Sequence, residues 1–206
     1  MTRRDQRGES RELKRMIWQG PGVSRVRHPC LLLSGGVDSA LVARFLIEAG
    51  TPPTGLFVDY GQPAAKAEAH ASTAIAAAFG LSRECVTIGG LSVPSSGEII
   101  GRNDLLIAVA RAAAPGRDVA LGVHGGTGYA DCSPEHRDAW QSLLDAQHGG
   151  AVRLLAPLLH LTKPEVLALA VDGSIPLGLT HSCEAGDTAC GRCRSCLDRA
   201  ILDARA

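Results

Sequence analysis

The segment Cys30-Leu31-Leu32-Leu33 runs without a break into Ser34-Gly35-Gly36-Val37-Asp38-Ser39, and this junction constrains the chain more than any other stretch. Four apolar residues without alternation read as a strand buried on both faces, the environment of a parallel sheet covered by helices. The two glycines permit positive φ and close backbone approach, and the pattern after them is helical. Strand, glycine turn and helix start together aim backbone N–H groups and the positive end of a helix dipole at one point, which makes an anion site. Ser34 and Ser39 add hydroxyl donors for phosphate oxygens. Asp38 is the odd member, because a carboxylate repels phosphate unless a cation lies between them; Mg²⁺ is the expected cation. The loop lacks the Gly-Lys-Ser/Thr of a Walker A sequence and the GxGxxG of a dinucleotide fold. Gly-Gly between serines also suits an ordinary βα turn, so the argument rests on the whole string.

Beyond Pro21-Gly22 short apolar runs alternate with longer Ala/Leu-rich segments, as in βαβ units. Strands are expected at 28–33, 54–58, 84–88, 118–123 and 151–155. Helices are expected at 39–49, 64–79, 103–113, 134–146 and 163–171, with a short one at 195–204. Ser133-Pro134 and the Thr162/Glu165 pair are helix-start signals, and Gly50 and Gly80 sit where helices end. The expected fold is α/β: a doubly wound parallel five-stranded sheet whose ligand crevice lies beyond the carboxyl ends of the strands.

Cys183, Cys190, Cys193 and Cys196 form Cys-x₆-Cys-x₂-Cys-x₂-Cys, with Gly186 and Gly191 for turns. Two x₂ gaps bring three thiolates to one tetrahedral ion and the six-residue loop returns the fourth, giving a closed, structural Zn²⁺ site. An iron–sulfur cluster is the chemical rival, although Leu197 stands where ferredoxin-type runs place proline. Either ion would pin a polar tail that has little core of its own. Seven cysteines, four of them in this cluster, suit a reducing compartment better than a disulfide framework. No apolar run approaches the ~20 residues that span a bilayer, so membrane association is not expected and a cytoplasmic location is. Cys30 and Cys85 read as buried strand residues. Cys132, in a glycine-rich loop, is either a packing or substrate-lining residue or a nucleophile with His124 or His136 as its base.

Lys+Arg and Asp+Glu are balanced at 21 each, yet eight of the cations against Asp5, Glu9 and Glu12 leave residues 1–27 at +5 and the remainder at −5. The expected organisation is a basic arm over 1–27 and a phosphate-binding domain over 28–206 that includes a zinc-binding tail, 181–206. An acidic body argues against binding nucleic acid through phosphate neutralisation.

In order, SGGVDS (34–39), VDYGQ (58–62), GRN (101–103), GYADC (128–132), APL (156–158), LTKPE (161–165), SC (182–183) and CGRCRSC (190–196) make an ensemble. Its first member resembles the pyrophosphate loop of the ATP pyrophosphatase (PP-loop) superfamily, with its adenine nucleotide alpha hydrolase-like fold. The whole series resembles the QueC family of 7-cyano-7-deazaguanine synthases, from about Cys30 to Arg199. That resemblance implies a carbon–nitrogen ligase of queuosine biosynthesis. It would adenylate 7-carboxy-7-deazaguanine, join it to ammonia as an amide and, with a second ATP, form the nitrile. It implies structural Zn²⁺ on the four cysteines, ATP with Mg²⁺, and a homodimer. By position, Ser34, Gly35, Gly36, Val37, Asp38 and Ser39 would bind ATP, with Asp59 and Tyr60 near the nucleotide. Asp38, Ser39 and Lys163 would be catalytic. Gln62, Arg102, Asn103, Tyr129, Asp131 and Cys132 would line the substrate site.

The chain also departs from the family. Pro63-Ala64 replaces a usual Arg-His, Ser133 a usual Arg, and His181 and Glu184 replace aromatics flanking Ser182-Cys183. Losing bulky and basic groups fits a second reading, an anti-phage defence relative that joins a deazaguanine to a protein amine. A third, from another class, is a zinc-stabilised nucleotide-binding partner without turnover. A tRNA-modifying relative would need a basic surface that the acidic body does not offer.

Overall fold

In a computed structural model the chain is described for residues 28–97 and 99–204; the expected basic arm over 1–27 lies outside the described residues. Five parallel strands, β1 (Cys30–Leu32), β2 (Thr54–Asp59), β3 (Arg83–Thr87), β4 (Val119–Ala120) and β5 (Leu154–Leu155), form one sheet in the order β3-β2-β1-β4-β5. Cys30 pairs with Thr54 on one side and with Val119 on the other. Six helices connect and follow them: α1 (Val37–Glu48), α2 (Ala65–Ala78), α3 (Arg102–Ala113), α4 (Pro134–His148), α5 (Lys163–Asp172) and α6 (Arg194–Asp203).

The period-2 pleat of β1 sends its side chains to two cores. Leu31 and Leu33 join the apolar faces of α1, α2, α5 and Leu202 of α6, including Phe45, Ile75 and Val166. Cys30 and Leu32 pack in the opposite core with Leu56, Ile107 of α3 and Leu144 of α4. Helices thus cover both faces, which explains why β1 is apolar throughout. The chain runs outward from β1 through β2 to β3, then returns to the far side of β1 for β4 and β5. That reversal makes a switch point between β1 and β4, where the loops leaving the two strands diverge and open a crevice.

The local signals act as their chemistry suggests. Ser133 Oγ accepts from His136 N at 3.1 Å to start α4. Thr162 N and Oγ1 both donate to Glu165 Oε2 at 2.7 Å to start α5. Gly50 and Gly80 take positive φ just beyond α1 and α2. Cys30 is buried as expected, whereas Cys85 is exposed and that expectation is corrected. β3 is an edge strand that neither core reaches at Cys85; Val86 is its contribution to packing. β4 and β5 are two residues each, shorter than their apolar runs, although Leu121 N still donates to Leu155 O at 3.0 Å beyond them. Two 3-10 turns, Ala130–Cys132 and Leu177–Leu179, occupy segments read as loop. No described helix is long and apolar enough to cross a membrane.

Candidate functional site

The turn between β1 and α1 is shaped by a close approach. Gly35 has φ +82°, and a Cβ there would lie 2.5 Å from Ser72 N and 2.7 Å from Ala71 Cβ, so α2 leaves room only for glycine. Gly36, extended, caps α1. Ser39 Oγ donates to Gly36 O at 3.0 Å and lies 3.3 Å from Ser34 Oγ, which also accepts from Gly36 N. The two hydroxyls therefore face each other across the start of α1, beside first-turn N–H groups that have no intrahelical acceptor. Gly122, just past β4, supports the turn from behind: a Cβ on it would meet Asp38 C and Ser39 N at 2.8 Å.

Asp38 has a cation beside it, from the protein itself. Lys163 Nζ at the start of α5 lies 3.0 and 3.1 Å from its two carboxylate oxygens. His124 Nε2 stands 3.8 Å from Asp38 Oδ2, while its Nδ1 is 2.9 Å from Gly125 O. His124 is thus placed at Asp38, and His136 is held by Asp104 Oδ1 at 2.6 Å. Neither imidazole pairs with Cys132. Burial pushes the Cys132 thiol above its usual range, with a Thr127 hydrogen bond opposing. The nucleophile reading is therefore without its expected base, and the thiol sits 3.5 Å from Asn103 Nδ2 as a packing group.

A crevice of about 250 Å³ opens over this turn. Of the residues singled out from sequence, Ser34, Gly36, Val37, Asp38, Ser39, Tyr60, Gln62, Arg102, Asn103 and Lys163 line it; Gly35 is in the turn behind. Asp59, Tyr129, Asp131 and Cys132 do not line it. Asp59 Oδ1 accepts from Gly61 N at 3.0 Å, which meets its need for a donor locally. Asp131 Oδ2 accepts from Asn103 N at 3.1 Å and so caps α3, and Tyr129 is about half exposed nearby.

Sequence reasoning named Tyr60, Gln62 and Arg102 but missed Glu68, which joins them in a polar wall. Gln62 is buried, with Oε1 accepting from Tyr60 N at 2.9 Å and Nε2 donating to Glu68 Oε2 at 2.7 Å and Val58 O at 3.2 Å. Burial pushes Glu68 above the usual carboxylate range, with Gln62, Arg102 and His181 pulling the other way. Burial also raises Tyr60, partly offset by Arg102. Arg102 resists its own burial because Tyr60, Glu68 and Asp131 stabilise its charge. The signal for Glu68 was available: it is a carboxylate in the first turn of the helix following the Tyr60–Gln62 string.

The tail closes the remaining side. His181 N donates to Gly35 O at 3.0 Å, and Asp187 Oδ1 accepts from Ala67 N at 3.0 Å at the start of α2. Ser182, Glu184, Ser195 and Arg199 reach the crevice. The ligand atoms of Cys183, Cys190, Cys193 and Cys196 all lie within 4.8 Å of one another, and the sulfurs of Cys190 and Cys196 are 3.9 Å apart. A tetrahedral ion with Zn–S of ~2.3 Å needs sulfurs about 3.8 Å apart, so the residues present fit a thiolate-bound metal. Backbone N–H groups of Arg192 and Cys193 hold the Cys190 thiol down to about 6, while burial pushes Cys196 up to about 12.

A parallel sheet with its switch point at β1/β4 and the SGGVDS turn at that point is the architecture of a PP-loop domain. Solved structures share the fold. They include an NMN synthetase from Francisella tularensis (TM-score 0.56, 15% identity, 97% of this chain and 86% of that one). A second is a U34-tRNA thiolase NcsA from Methanococcus maripaludis with its [4Fe-4S] cluster (TM-score 0.59, 18%, 95% and 71%). The model of the family described as queuosine biosynthesis protein QueC matches residues 92–201. A 7-cyano-7-deazaguanine synthase of Prochlorococcus marinus strain MIT 9303 is 37% identical over 198 residues, covering 80% of this chain and 87% of that protein. Another from Synechococcus elongatus is 35% identical over 209 residues, covering 84% and 90%. The chain belongs to the QueC family.

Proposed function

We propose that the chain is an ATP-dependent carbon–nitrogen ligase that activates the carboxylate of 7-carboxy-7-deazaguanine and passes it to ammonia. The observation that carries this reading is the turn at Ser34–Ser39, with Lys163 on Asp38, opening onto a crevice whose wall holds Arg102. In the first step a carboxylate oxygen attacks the α-phosphorus of ATP and pyrophosphate leaves. Ammonia then attacks the acyl carbon, losing a proton as AMP departs, and the amide remains. In a second round the amide oxygen attacks the α-phosphorus of another ATP, releasing pyrophosphate and one amide proton; the O-adenylated imidate then loses AMP and the remaining nitrogen proton to give the nitrile.

Each residue has a role of a kind its chemistry allows. Gly35, Gly36 and Val37 aim N–H groups at the polyphosphate, and Ser34 and Ser39 add hydroxyl donors. Lys163 exchanges its contact with Asp38 for the departing pyrophosphate, and the freed Asp38 can face Mg²⁺, which neutralises the phosphates when bound with ATP. Tyr60 flanks the nucleotide, and Asp59 shapes the Gly61 turn behind it. Arg102 and Asn103 hold the substrate, with Gln62 acting through its neighbours and Tyr129, Asp131 and Cys132 shaping the approach from outside the crevice. Zn²⁺ on the four cysteines supplies folding free energy to the tail and takes no part in bond making.

Incubating the purified chain with ATP, Mg²⁺, ammonia and 7-carboxy-7-deazaguanine tests the reading. Stoichiometric AMP and pyrophosphate release with amide and nitrile masses is expected. No release in the presence of bound ATP would overturn it in favour of a non-catalytic binding module. An amide found only on a protein amine would overturn the choice of ammonia.

A further inference from the structure

The crevice contains an acidic side chain for which the ATP chemistry has no use. Glu68 projects from the first turn of α2, partly buried, and lines the same crevice as the phosphate turn. Its Oε2 is held by Gln62 Nε2 at 2.7 Å, and Gln62 is itself fixed by Tyr60 N and Val58 O. This buried amide acts as a bracket that sets the carboxylate's orientation. The charge of Arg102 favours the ionised form of Glu68, Arg102 is hydrogen-bonded to Tyr60, and all three line the crevice. Of the other carboxylates lining the crevice, Asp38 is engaged by Lys163, Glu184 accepts from Ser195 Oγ at 2.6 Å, and Asp198 stands on α6 in the tail, away from the Tyr60–Gln62 string in sequence.

A guanine-type ring presents two parallel donors, the ring N–H and the exocyclic 2-amino group, beside a carbonyl acceptor. A carboxylate complements the two donors as a fork, since each oxygen carries two acceptor sites and Gln62 uses only one. A guanidinium complements the carbonyl. An adenine ring has an acceptor at the position of the guanine N–H and would place lone pair against lone pair. We infer that Glu68 is a specificity-determining residue that reads the N–H and 2-amino edge of the deazaguanine ring, with Arg102 facing the 6-oxo group. The inference rests on the proposed substrate class and deepens it. It also gives a reason to bury Glu68: an under-satisfied carboxylate is costly, and two ligand N–H groups meet that cost when the ring enters.

The test compares wild type with Glu68→Gln and Glu68→Asp on 7-carboxy-7-deazaguanine and on its analogue lacking the 2-amino group. The wild type should prefer the complete ring by on the order of 100-fold in kcat/KM. Glu68→Gln, with a wild-type melting curve, should raise KM for the ring by about 30-fold or more, change kcat little and abolish the preference. Glu68→Asp, which keeps the fork, should retain a preference. KM for ATP should stay constant throughout. An unchanged preference in Glu68→Gln overturns the inference, as does a rise in KM for ATP instead, which would place the carboxylate on the ribose hydroxyls. Calorimetry with the ring alone separates this from the parent reading. Ring binding that depends on Glu68 without turnover removes the activity and keeps the inference; no ring binding by wild type removes the inference.

Discussion

Replacing Gly122 with alanine puts the geometry of the phosphate turn to a direct trial. Its backbone φ is not in the left-handed region, so the substitution carries no conformational penalty of its own. The added Cβ would lie 2.8 Å from Asp38 C and Ser39 N and 3.0 Å from Asp38 O, all of them backbone atoms that no rotamer change can clear. Restoring van der Waals separation moves the turn by roughly 0.6 Å or more. Overpacking of this kind costs about 1–3 kcal/mol, which lowers the midpoint of a chain of this size by roughly 3–10 °C. Misplacing reacting groups by ~1 Å costs about 100-fold, so a displacement near half of that should cost about 10-fold in kcat/KM for ATP. Pyrophosphate release at varied ATP and a thermal melt measure the two effects. Gly178→Ala is the control, since nothing lies within 4 Å of its Cβ. Wild-type kinetics and melting in Gly122→Ala would show that β4 does not support the turn.

Lys163→Met removes the ammonium from both Asp38 oxygens; it should reduce pyrophosphate release by about 100-fold, and because both side chains are roughly a quarter exposed it should cost no more than ~1 kcal/mol of stability. Unchanged release would remove Lys163 from the phosphate site. Cys193→Ala should lose zinc, measured by plasma emission, and lower the melting midpoint by on the order of 10 °C; zinc loss with unchanged melting would refute the tail's dependence on metal. Glu165 is held below its usual 4.5 by Thr162, so its contribution is complete above that value and disappears as pH falls through the lower folded value. Glu165→Gln should therefore cost about 0.3–1 kcal/mol at pH 7 and progressively less as pH falls below 4.5, and a cost independent of pH would refute the charged cap.

The elements legible in the sequence are those whose signals are local. The strand before Ser34 is apolar because both of its faces are covered, and Thr162 and Glu165 are three residues apart on the helix they start. The four cysteines announce themselves by spacing. What escaped is set by distance along the chain. The partner of Asp38 comes 125 residues later, and nothing near Asp38 names it. His124 is separated from Asp38 by three strands and read more naturally as a base for nearby Cys132. Cys85 looked like core because its strand has the composition of one, but exposure at a sheet edge depends on which strand ends up outermost. Glu68 lay one helical turn past the motif, where an Ala-rich helix reads as packing.

The hydrogen bond from His181 to Gly35 joins the last quarter of the sequence to its first loop. A ribosome-bound chain that has released only the five strands holds the phosphate turn without the wall that faces it. The side of the crevice lined by Ser182, Glu184, Ser195 and Arg199 must then be completed last, when residues 181–203 emerge.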